Sequence, residues 1–266
     1  MIISVSQQKG GVGKTATSVL LSHYFSYVKG YKVLVIDLDA QGNATSSYME
    51  KEHLSLSNVI IDHEPFTNVM KTTPLHNIDV IVSDIEMETL ETHLIISPDG
   101  AYFLKDLIAD HGLRQQYDII LIDTPPHLGR LTLGALIASD FVLIPLESKK
   151  FAADGVANLL ATIAEVQSKE RLNPKLQIMG AFINKYEERT LISKAIITSL
   201  RQQIPDILLQ TAIRYNIRIE ECLSQQELIY TYDPRSNAAA DITSLGDEIL
   251  AVAAIKGHLL PEPMLS

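Results

Sequence analysis

The chain has 266 residues, 46% hydrophobic and 20% charged, with a net charge of −10. That is enough for one large α/β domain with a sizeable core, and the sign of the charge argues against a dedicated, strongly basic nucleic-acid module. The single cysteine, Cys222, excludes an internal disulfide and any cysteine-built metal centre; with no apolar run of 18 residues and no leader of secretory type, a cytoplasmic protein without stable membrane association is expected.

The first predicted element is a strand, Ile2–Ser6. It leads into Gln8-Lys9-Gly10-Gly11-Val12-Gly13-Lys14-Thr15. A helical pattern follows, with Ala16, Val19, Leu20, His23, Tyr24 and Tyr27 on one side and Gly30 as the stop. A glycine-rich turn between a strand and a helix N-terminus aims backbone N–H groups at one point, and such a concavity binds phosphate. Gly13-Lys14-Thr15 ends a Walker A loop, in which Lys14 reaches the β and γ phosphates and the Thr15 hydroxyl holds Mg²⁺. The ordinary motif would begin with glycine at position 8, where the chain has Gln8. A second lysine, Lys9, stands at the loop entrance instead. Lys14 already serves its own site, so Lys9 either reaches the nucleotide of a facing subunit or lies idle on the surface.

Further strands are predicted at Lys32–Asp37, Ile78–Val82, Tyr117–Asp123, Phe141–Pro145, Gln177–Ile183 and Ile207–Leu209. Val33-Leu34-Val35-Ile36 and Ile119-Ile120-Leu121-Ile122 are continuous apolar runs, the pattern of strands buried on both faces. Their alternation with helical patterns predicts a doubly wound, mostly parallel sheet flanked by helices, in one domain spanning residues 1–266. The polar segment from about Glu50 to Thr73 resists assignment. The last helical pattern, about Asn237 to Lys256, carries Asp241, Asp247 and Glu248 on its polar face, which suits packing on the sheet better than a membrane surface.

In an open parallel sheet, ligands bind outside the carboxyl ends of the strands. Three such ends carry chemistry: the glycine loop, Asp37-Leu38-Asp39 and Asp123-Thr124-Pro125-Pro126. Asp123, an acid ending an apolar strand, has the Walker B character and is expected to hold Mg²⁺ directly or through water, with Asp37 close enough to share that work. Asp39 lies two residues past its strand, where a carboxylate can orient an attacking water. Pro125-Pro126 and Gly129 give the Asp123 loop the look of a switch ordered by a γ-phosphate.

Together the motifs K-G-G-V-G-K-T, D-L-D-A-Q-G-N at 37–43, D-T-P-P-H-L-G at 123–129, Thr211–Ser224 and Tyr232–Ser236 resemble those of the ParA/Soj-type partition ATPases, of the deviant Walker A (MinD/ParA) family, over nearly the whole chain. The resemblance implies ATP and Mg²⁺ as cofactors, an ATP-sandwich homodimer, weak ATPase activity stimulated by a ParB-like centromere-binding partner, and non-specific DNA binding on the nucleoid. By matching position, Lys9 is the signature lysine; Gly10, Gly11, Val12, Gly13, Lys14, Thr15 and Ala16 cradle the nucleotide; Asp39 is the hydrolysis aspartate. The resemblance also makes Asn184 a base-recognition residue. Many relatives have Pro-Arg-Asn beside the adenine where this chain has Arg214-Tyr215-Asn216; Asn216 is kept, and Arg214 and Asn216 are expected on the nucleotide's base side.

Residues 180–235 hold seven basic and seven acidic side chains, so the segment is neutral in an acidic chain. Any DNA-facing surface is therefore expected there, from Arg189, Lys194, Arg201, Arg218 and Arg235, with Arg218 the best single candidate. A related positioning ATPase, moving a protein cluster or organelle or selecting a division site, would share the same engine. A cluster reductase is opposed by the lone cysteine, and a metabolite ligase by Lys9 and the Asp39 loop. His127 stands in the Asp123 loop, where relatives have a small residue.

Overall fold

The computed structural model describes residues 1–51, 53–147, 152–187 and 190–260. Among these, eight strands form one sheet in the order β3-β4-β2-β5-β1-β6-β7-β8: β1 (Ile2–Val5), β2 (Val33–Asp37), β3 (Met70–Thr72), β4 (Ile78–Ile81), β5 (Ile119–Asp123), β6 (Phe141–Glu147), β7 (Gln177–Tyr186) and β8 (Leu208–Arg214). Each pairing is parallel except β3 with β4. The helices are α1 (Lys14–His23), α2 (Asn43–Ser46), α3 (Leu56–Ile61), α4 (Met87–Ile96), α5 (Phe103–Asp110), α6 (Leu113–Gln116), α7 (Arg130–Ala138), α8 (Ala152–Ser168), α9 (Leu191–Gln203), α10 (Ile217–Ser224), α11 (Ile229–Tyr232) and α12 (Asn237–Ile255).

Side chains alternate between the faces of a strand, and both faces here are apolar. Along β6, Phe141 and Leu143 join one core, while Val142, Ile144 and Leu146 join a second with Val156, Leu159 and Ile163 of α8. The first core also takes up Leu20 of α1 and Ile242, Leu245 and Ile249 of α12. The acidic final helix therefore packs on the sheet, as its pattern predicts. No described helix is long and apolar enough to cross a membrane.

Some boundaries differ from the sequence reading for physical reasons. The unassigned segment holds α3, started by a reciprocal cap between Ser55 and Asn58, and the short edge strand β3. β6 continues through Pro145 to Glu147, because one missing N–H does not end a strand paired along its length. β8 is longer than its apolar part: the Glu248 carboxylate on α12 accepts the N–H groups of Gln210 (2.7 Å) and Thr211 (2.9 Å), which steadies the polar half of an edge strand. A π turn, Tyr24–Val28, follows α1 and rotates Tyr27 off the buried face. Tyr27 is 56% exposed and stacks on Tyr230.

Register aligns the strand ends. Asp37 sits opposite Asp123, Val5 opposite both Asp123 and Leu143, Glu147 opposite Asn184, and Tyr186 opposite Arg214. One carboxyl edge thus carries the residues that the sequence singles out, with the glycine loop at its centre.

Candidate active site

The loop after β1 reaches α1 through Gly13, whose backbone is left-handed (φ 89°) and whose missing side chain matters twice. The conformation favours glycine, and a Cβ there would overlap the Asn184 amide. Asn184 Nδ2 donates to the Val12 carbonyl at 2.8 Å, and Lys185 Nζ donates to the Gly11 carbonyl at 2.9 Å. The end of β7 therefore clamps the loop from outside by its carbonyls. This leaves the loop's N–H groups to face an anion.

Lys14 is buried, and burial pulls its ammonium below the ordinary lysine range, while the charges of Asp123 and Asp39 act to hold it up. The structure thus brings Lys14, Asp39 and Asp123 together. Asp123 is fully buried. Burial pushes its carboxyl well up, with the Asp37 charge adding to this and the Thr15 hydroxyl and Lys14 opposing it. Its Oδ1 accepts from Ser18 Oγ at 3.3 Å, and its Oδ2 is buried without a hydrogen-bond partner. An orphaned, buried carboxylate oxygen beside a threonine hydroxyl is a fit for a hard divalent cation or its bound water.

Asp37 is used differently. Its Oδ1 accepts the Asp39 N–H (3.1 Å) and its Oδ2 accepts both the N–H and the hydroxyl of Thr45 (2.8 Å each). Those bonds fold the Asp39 loop onto α2, so Asp37 serves first as the loop's scaffold. Burial still pushes its carboxyl upward. Asp39 itself is half-buried and caps its own turn, accepting from Gln41 N at 3.0 Å.

Lys9 lies at the entrance with its ammonium 3.2 Å from Glu147 Oε2, at the end of β6. The lysine is 41% exposed and the glutamate 8%. A nearly buried carboxylate of its own chain therefore holds the Lys9 ammonium.

On the other flank of the loop is a cleft of about 130 Å³ lined by Gly13, Asn184, Arg214, Tyr215, Asn216 and Glu220 among others. Ala16 and Thr17 line the same cleft from α1. Arg214 is engaged by Asp241 of α12: Nε to Oδ2 at 3.0 Å, Nη2 to Oδ1 at 2.6 Å, and its backbone N–H to Oδ2 at 3.0 Å. Asn216 accepts from Arg218 N at 3.0 Å and so caps α10. Tyr215, at the position where relatives have arginine, presents a ring that is 55% exposed.

The basic residues are dispersed. Lys194 and Arg201 are exposed two turns apart on α9, and Arg235 is exposed before α12. Arg218 lies between Glu221 (2.7 Å) and Asp233 (3.4 Å). Arg189 lies outside the described residues. His127 is 3.9 Å from Glu91. Sequence reasoning missed Ser18, Thr45, Glu91, Glu147 and Lys185. Only Ser18 had a local signal, one helical turn past Lys14 on the side that faces the loop.

Residues 1–178 match a family model described as an AAA domain. The sporulation initiation inhibitor protein Soj of Bacillus subtilis is 36% identical over 253 residues, covering 94% of this chain and 98% of that protein. The chromosome-partitioning ATPase Soj of Treponema pallidum is 34% identical, covering 92% and 94%. A cobyrinic acid a,c-diamide synthase structure from Mycobacterium smegmatis with bound ADP and magnesium superposes with a TM-score of 0.81 at 26% identity, covering 98% of each chain. The septum site-determining protein MinD of Pyrococcus horikoshii, complexed with Mg-ADP, shares the fold (TM-score 0.74, 22% identity, 97% and 99% covered). With the glycine loop, the two acid loops and Lys9 placed on one sheet edge, and relatives of this identity matched nearly end to end, the chain belongs to the Soj/ParA family of partitioning ATPases.

Proposed function

We propose that this chain hydrolyses ATP as a homodimer with two nucleotides at the subunit contact, binds DNA non-specifically in that state, and is released when a ParB-like centromere-binding partner stimulates hydrolysis. The observation that carries the reading is the meeting of buried Lys14 and Asp123 with half-buried Asp39, where Asp123 offers an unpartnered oxygen. Thr15 and Asp123 would hold Mg²⁺, with Asp37 supporting from its place beside Asp123. Bound there, the ion neutralises charge that builds on the phosphoryl oxygens. Lys14 binds the β and γ phosphates, the loop amides hold them in place, and Asp39 orients water for attack. Dimerisation requires Lys9 to leave Glu147 and reach across the contact. The ligand then favours the dimer by its differential affinity for it.

Sedimentation of the wild type and Asp39→Ala with ATP–Mg²⁺ tests this. The expected result is a persistent dimer for the variant, a transient one for the wild type, and binding of arbitrary duplex by the dimer that weakens steeply with salt. Monomers throughout would end the sandwich reading. A dimer indifferent to DNA would favour a positioning ATPase with another cargo. Turnover that depends on a metabolite and ignores DNA would point instead to ligase chemistry.

A further inference from the structure

The unit formed by β4 and α4 touches both acid loops. In the connection between them, Ser83 Oγ donates to the Asp39 carbonyl at 2.7 Å, and Ser83 N–H donates to Thr45 Oγ1 at 3.0 Å, the same hydroxyl that donates to Asp37. One turn into α4, the Glu91 carboxylate accepts the N–H groups of Arg130 and of Leu131 (2.9 Å), the first residues of α7. His127 Nε2 is 3.9 Å from the same carboxylate. Gly129 packs so closely that a Cβ there would overlap Glu91. The Glu91 side chain is 15% exposed, and it reaches the far end of the loop that begins at Asp123. Between the two grips runs a groove of about 300 Å³, walled by Leu38, Asp39, Met87, Pro125, Pro126 and Leu131 among others.

A carboxylate that receives two amides at a helix N-terminus makes charge-assisted bonds, stronger than neutral ones and aided by the helix dipole. Two loops gripped by one rigid element keep a fixed relation to each other. We propose that Glu91 is a positioning residue for ATP hydrolysis, holding the Asp123 loop in register with the Asp39 loop through the β4–α4 unit. The inference rests on the ATPase reading above. Glu91 touches neither the glycine loop nor the Asp123 carboxylate, so its loss acts on the chemical step more than on nucleotide binding.

The test compares Glu91→Gln with Glu88→Gln, an exposed carboxylate on the same helix. Glutamine keeps the size but turns an NH₂ toward one of the two amides. Single-turnover hydrolysis is expected to fall about tenfold in Glu91→Gln, while the Kd for a fluorescent ATP analogue stays within about twofold. Amide exchange in segment 124–133 is expected to speed up by a similar factor of about ten. Glu88→Gln should match the wild type in all three. Ser83→Ala, which weakens the other grip, should slow hydrolysis in the same direction and serves if Glu91→Gln fails to fold. The proposal is overturned if Glu91→Gln hydrolyses ATP like the wild type, if its exchange is unchanged, or if Glu88→Gln loses as much. A wild type that binds ATP and never turns it over defeats the ATPase reading itself, whereas the exchange measurement still judges the grip.

Discussion

The two flanks of the central strand organise their functional side chains by different rules. On the β2–β5 flank, Asp37, Asp39 and Asp123 stand at or just past the ends of the strands that precede them, and register alone brings Asp37 and Asp123 together. On the β7–β8 flank, other parts of the chain hold the key side chains, Asn184 by the Val12 carbonyl and Arg214 by Asp241, while Arg218 of α10 is held by its helical neighbour Glu221 and by Asp233. The family model ends at residue 178, where the second flank begins. A site written into strand ends keeps its chemistry as long as the sheet forms. A site made of cross-chain ion pairs can be rewired by compensating changes, and the substitution of Arg214-Tyr215 for Pro-Arg fits that freedom.

The comparison is sharpest at Lys14. Its ammonium is buried beside the Asp123 and Asp39 carboxylates. Lys14→Ala should lower ATP hydrolysis about 10³-fold, as removal of a preorganised charge at the transferring group does. Phosphate release measures it. A variant that retained more than about a tenth of wild-type turnover would break the division, since the strand-end flank would then tolerate rewiring as well.

On the other flank, Arg214→Ala should act on stability first. It leaves Asp241, whose side chain is 10% exposed, without its guanidinium. Stranding a mostly buried carboxylate costs about 3 kcal/mol, read as a lower denaturant midpoint at unchanged slope. Replacing both partners, Arg214→Leu with Asp241→Leu, should recover most of that loss. Full stability in the single variant would show that the ion pair is dispensable.

This contrast also explains what was legible in the residues. The sheet was readable because Val33–Ile36 and Ile119–Ile122 are apolar on both faces, and the phosphate loop because its chemistry is contiguous. β3 was not, being three partly exposed residues whose partner strand lies beyond a turn. Glu147 and Glu91 were not, because a glutamate carries no mark of the lysine or the helix it will meet. The bonds of Asp37 to Thr45 and the Asp39 N–H were not legible either, because an acid at a strand end carries no mark of the loop it will fold.

The flanks meet at His23, near the end of α1. Its ring is fully buried, accepts the Ile229 N–H of α11 at Nδ1 (3.4 Å) and meets Tyr48 edge-on. Burial pulls its pKa down to about 3. In the unfolded chain it titrates near 6.5, so between these values the unfolded state binds more protons than the fold does. Stability from this group is complete above pH 6.5 and drains as pH falls toward 3, by about 2 kcal/mol between pH 6.5 and 5. Unfolding curves across that range should show the slope in the wild type and a flatter line in His23→Leu. Equal slopes would mean that acid acts elsewhere than at this joint.

The smallest expected effect concerns Arg218. Sequence context favours it as a DNA contact, yet its Nη1 lies 2.7 Å from Glu221 Oε2 and its Nε lies 3.4 Å from Asp233 Oδ2. Tyr232 donates to the same Glu221 oxygen at 3.1 Å, which keeps that carboxylate in place. A guanidinium so neutralised releases no counterion from DNA unless the phosphate displaces two carboxylates. Each phosphate neutralised on duplex DNA changes the slope of log K against log salt by about 0.9. Arg218→Ala should therefore leave that slope unchanged, whereas the pair Lys194→Ala and Arg201→Ala, exposed on one side of α9, should reduce it by about 2. A drop of about 1 for Arg218→Ala alone would show that DNA wins the competition with Glu221 and Asp233. The second flank would then be held by exchangeable partners, its ion pairs serving as placeholders until DNA arrives.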